Sequence, residues 1–89
     1  MTFVVTWDAE ITKDVDAAIA AADMDYAGQI AEAVEQLDDS LRQNALALGE
    51  SRESGLVRVL TKLPLTIHFR ITDRLHRVRV FALSIYRKR

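Results

Sequence analysis

The 89-residue chain has no cysteine, one proline and three glycines. Without cysteine there is no disulfide scaffold, thiolate zinc site or cysteine nucleophile, and a reducing compartment is the natural setting, with the cytoplasm expected. Long apolar runs are also missing. The longest, Ala17 to Ala22, falls far short of the roughly 20 residues that cross a bilayer, so neither a transmembrane segment nor a membrane partner is expected. The stretch from Met1 to Asp8 has no basic region and meets an acid early, which does not read as a secretory signal. Histidine is scarce. His68 and His76 have no carboxylate or cysteine at metal-ligand spacing, so no metal is expected. Gly49 and Gly55 flank Ser51 and Ser54, but neither a phosphate-loop lysine nor a dinucleotide glycine fingerprint accompanies them, and no cofactor is implied. A nucleophile elbow for serine chemistry is absent too.

What is present is charge, sorted along the chain. The net charge of −1 hides two opposed halves. Residues 1–50 hold eleven acids against Lys13 and Arg42, and residues 51–89 hold ten bases, mostly arginine, against Glu53 and Asp73. Arginine makes planar, two-pronged contacts with phosphate and carboxylate, so the basic half suggests recognition of an anion. Neutralisation of one half by the other across the fold is the competing reading.

Hydrophobic periodicity orders the elements. Phe3, Val5 and Trp7 alternate with Val4 and Thr6 as in a strand, with Trp7 expected in the core. Ile11, Val15 and Ile19 then recur every four residues, giving a first helix with Asp8 as its cap. A break at Asp23-Met24-Asp25 precedes a second helix carrying Tyr26, Ile30, Val34, Leu37 and Leu41, whose pattern dissolves after Asn44. Gly49 to Gly55 reads as a polar loop and Leu56 to Leu60 as a short strand; Pro64 marks a tight connection. Leu65, Ile67, Phe69 and Ile71 alternate strictly with Thr66, His68, Arg70 and Thr72. After a turn at Asp73 to His76, Arg77 to Tyr86 forms a long strand, apolar on both sides at Phe81 to Leu83, as expected of a strand covered on both faces or carrying a bulge. The predicted fold is α+β, one domain over 1–89 in the order β-α-α-β-β-β, with a two-helix hairpin on one face of a mostly antiparallel twisted sheet.

The helices leave the opposite face open. Arg58, His68, Arg70, Arg77 and Arg79, each read as the polar position of its strand, should converge there and repel one another unless an anion or acidic partner covers them. The pairs Asp14/Asp16, Asp23/Asp25 and Asp38/Asp39 do not share helix faces at those spacings and read as solvated surface or caps. Tyr86 can stack on a base, carry a proton or simply end the last strand.

The Gly49-Glu50-Ser51-Arg52 stretch, Arg58 in a short strand, Pro64 to Arg70 and Arg77 to Leu83 together resemble the RelE/ParE superfamily of toxins from bacterial toxin-antitoxin pairs. The resemblance implies the fold just described and a cognate antitoxin lying across sheet or helices. In the ribonuclease branch it implies basic side chains that hold mRNA on the ribosome while a nearby group takes the ribose 2′-hydroxyl proton. Arg58 corresponds to a basic position on the first of the three closing strands, and Arg87 or Lys88 to the one after the last. Thr66 stands where the ribonucleases have a catalytic arginine, and the tyrosine-bearing C-terminal segment is not matched. The expected catalytic set is therefore His68, Tyr86 and Arg58, with Arg52, Arg58, Arg70, Arg77, Arg79, Arg87 and Lys88 binding RNA or another anion. The alternative is a ParE-like inhibitor of DNA gyrase, or a catalytically degenerate toxin-fold protein that binds a protein partner.

Overall fold

A computed structural model describes residues 2–47, 50–52 and 54–86. Strand β1 (Val4–Trp7) leads into helices α1 (Ala9–Ala21) and α2 (Met24–Asn44), a 3-10 turn follows at Ala45–Ala47, and β2 (Glu50–Arg52), β3 (Ser54–Lys62), β4 (Leu65–Thr72) and β5 (Arg77–Ile85) complete a five-stranded sheet. The spatial order is β1-β5-β4-β3-β2, with β1 parallel to β5 and the other pairs antiparallel. This is the expected β-α-α-β-β-β frame with one short strand added. The stretch read as a polar loop supplies that strand, which pairs with the edge of β3 and is irregular between Ser51 and Arg52.

The two helices cover one sheet face because their apolar stripes match its inward side chains. Ile11 and Val15 of α1 and Ile30, Ala33, Leu37 and Leu41 of α2 pack on Leu65, Ile67, Phe69, Ile71, Val78 and Val80, all essentially buried. The strict alternation of β4 appears as buried positions at each odd residue from Leu65 to Ile71. Asp23 caps α2 by accepting from the Tyr26 amide at 2.8 Å. Asp8 stands at the head of α1 but makes no side-chain cap bond, contrary to expectation, because its carboxylate is engaged elsewhere. Trp7 is half-buried against the core and donates from Nε1 to Asp38 Oδ1 at 2.9 Å. The apolar stretch in the last strand is a bulge: His68 faces Ala82 and Phe69 faces Val80, which leaves Phe81 unopposed.

Candidate anion-binding sheet face

Register decides which predicted residues meet. Arg70 of β4 lies directly across from Arg79 of β5, and Thr72 from Arg77. On the far side of β5, Thr6 and Val4 flank Arg79 and Arg77. All of these are exposed and point away from the helices. His68 shares this face two residues along β4, half-buried, with its ring edge-on to Phe81 at 6.3 Å and 75°. His68, Arg70, Arg77 and Arg79 therefore converge as expected.

Arg58 does not join them. It is opposite Phe69, on the helix-bearing face, and its guanidinium donates to the Leu46 carbonyl. Leu56 to Leu60 is apolar except at Arg58, so the lone cation reads as the solvent-facing position, yet register turns Val57 and Val59 outward instead. A polar side chain is tolerated on the helix side here because the 3-10 turn that follows α2 offers it a carbonyl. Tyr86 lies outside the cluster as well. It follows Ile85, which pairs with Leu65, so it sits six residues, about 20 Å, along the sheet from Arg70 at roughly 3.3 Å per residue. There its amide donates to the Pro64 carbonyl at 2.7 Å, and its own carbonyl accepts from the Tyr26 hydroxyl. The groove beside it, about 700 Å³ and lined by Ala22, Tyr26, Pro64 and Ile85 among others, is remote from Arg70, Arg77 and Arg79. Arg52 falls in β2 with its side chain outside the described residues, and Arg87 and Lys88 lie outside them altogether.

No local spacing in the sequence signals the most specific contact on the face. Arg79 Nε donates to Asp8 Oδ1 and Nη2 to Oδ2, both at 2.8 Å, a fork-to-fork ion pair. Two like charges facing each other across β4 and β5 repel, and Asp8 relieves that repulsion. The hydrogen bonds from Arg79 hold the Asp8 carboxyl below its ordinary range, and Asp8 in turn raises Arg79. Asp8 lands there because its backbone, at the end of β1, continues the parallel ladder by donating to the Val80 carbonyl at 3.0 Å. Arg70 and Arg77 have no ion-pair partner among the described residues. No group of three or more possible metal ligands occurs among them either, and no helix is long and apolar enough to cross a membrane.

The two-helix layer on one face of a five-stranded mixed sheet is an arrangement that solved structures share. The chain superposes with a TM-score of 0.71 and 18% identity on a chain of the chromosomal ParDE toxin-antitoxin system from P. aeruginosa, covering 97% of this chain and 98% of that one. For the toxin-antitoxin complex RelBE2 from Mycobacterium tuberculosis the TM-score is 0.69 at 15% identity, over 96% and 92%. The sequence matches no family model and no curated protein.

Proposed function

We propose that the chain is the toxin of a toxin-antitoxin pair, neutralised by a cognate antitoxin protein, and that it arrests growth by holding a protein target such as DNA gyrase rather than by cutting mRNA on the ribosome. The first half is supported by the near full-length likeness in fold to chains of two toxin-antitoxin structures. The observation that carries the second half is the dispersal of the expected catalytic set. Arg58 is on the other face of the sheet and Tyr86 is at its far end, which leaves His68 as the one member of that set beside Arg70 and Arg79. RNA cleavage needs a base within hydrogen-bond reach of the 2′-hydroxyl and donors aimed at the phosphorane; here His68 is packed against Phe81 and Arg79 is occupied by Asp8.

Tightly controlled expression in a bacterial host tests both halves, with mRNA ends mapped and DNA damage scored. The expected result is growth arrest with intact mRNA, relieved by an Arg70→Ala, Arg77→Ala double variant and unaffected by His68→Ala. Codon-phased mRNA cuts that vanish in His68→Ala would establish the ribonuclease reading instead.

A further inference from the structure

The open face is not uniformly basic. Val4, 61% exposed, stands beside Arg77, and Phe81, 37% exposed, lies two positions beyond Arg79 on β5. Val57 and Val59, half-buried, face Arg70 and His68 from β3. Nucleic-acid surfaces depend on many cations, each neutralising a phosphate. Among the described side chains this face offers Arg70, Arg77 and Arg79, one of them already paired. Exposed apolar side chains ringed by a few arginines match the core of a protein-protein interface more closely.

The Asp8 contact indicates which group such a partner would present. Both prongs of the Arg79 fork are filled by carboxylate oxygens in near-ideal geometry. We propose that this face docks an acidic, apolar-flanked segment of a partner protein, one of whose carboxylates replaces Asp8 on Arg79. The inference rests on the binding reading above and gives it a partner class. Exchange is inexpensive because the existing pair is solvent-exposed. Asp8 also has somewhere to go: it occupies the cap position of α1 without using it, so the released carboxylate can turn to the free amides of the first helical turn. Asp8 thus acts as a resident substitute that keeps facing arginines compatible until the partner arrives.

Fluorescence polarisation with the full chain tests this, using a short blocked peptide alternating glutamate and valine and a single-stranded oligothymidylate of equal charge. The peptide should bind more tightly than the oligonucleotide. Asp8→Asn should tighten peptide binding about threefold, the scale of a good exposed ion pair, Arg70→Gln with Arg77→Gln should weaken it at least about tenfold, and Asp14→Asn should leave it unchanged. Preference for the oligonucleotide, indifference to Asp8→Asn or to the arginine pair, or binding of neither probe to a chain with unaltered circular dichroism each overturns the proposal. Failure of the binding reading itself would show separately, as cut mRNA in cells.

Discussion

Asp38 shows how one side chain can serve two elements. Its Oδ1 accepts from the Trp7 indole and its Oδ2 from Arg42 Nε at 2.7 Å, tying β1 to the last turns of α2. Asp38→Ala leaves a half-buried indole N–H without a partner and should cost about 1–2 kcal/mol, whereas Asp38→Asn keeps an acceptor and should lose less. Urea unfolding followed by the emission of Trp7, the one tryptophan in the sequence, measures both; equal stability of Asp38→Ala and wild type would count against the bond. Asp8 adds a dependence on pH. Because Arg79 depresses its pKa in the folded state, its contribution is complete above the ordinary carboxylate value and disappears as pH falls through the lower folded one. The stability difference between wild type and Asp8→Asn should therefore be constant near neutrality and shrink in strong acid, as thermal melts across that range would reveal. A difference that grew on acidification would contradict the pairing.

Among the elements, legibility followed periodicity. β4 was readable residue by residue because every odd position is apolar and every even one polar, and α2 because its stripe runs unbroken to Leu41 before the helix ends at Asn44. β3 is legible as a strand, but its expected orientation, with Arg58 on the open face, is the reverse of the one it takes. With valines and leucines on both sides, the single cation is the one local cue to orientation and it misleads; pairing with β4 settles the register. The three residues of β2 are too few to show a period, and their polar composition resembles a turn. Capping was legible in kind: Asp23 and Asp8 both precede helices, yet only Asp23 caps. Asp23→Ala should accordingly destabilise the protein by about 1 kcal/mol, seen as a lower urea midpoint with an unchanged slope. No loss at all would mean that the first turn of α2 is satisfied in another way.

At the scale of the whole molecule, the opposed charges of the two halves point to anion recognition, while strand alternation places His68, Arg70, Arg77 and Arg79 on one face without showing how Asp8 modulates it. Arg79 and Asp8 are brought together by the parallel β1–β5 pairing, a contact between distant parts of the chain that no local spacing encodes. That pairing also shapes folding. β3 and β4 are joined by a two-residue connection at Leu63–Pro64, while Val4 must find Arg77 about 70 residues away. Ile67→Val in β4 should mainly slow refolding and Val5→Ala in β1 mainly speed unfolding, as chevron plots would separate; the reverse assignment would place β1 in the folding nucleus.

During synthesis, the strand made first waits for the strand made last. Until β5 has cleared the ribosome, β1 has no neighbour, Asp8 has no arginine to hold, and the row of side chains from Thr6 through Arg79 and Arg70 to Val57 has not been assembled. A nascent chain of this topology therefore presents no such surface until β5 has paired with both β1 and β4.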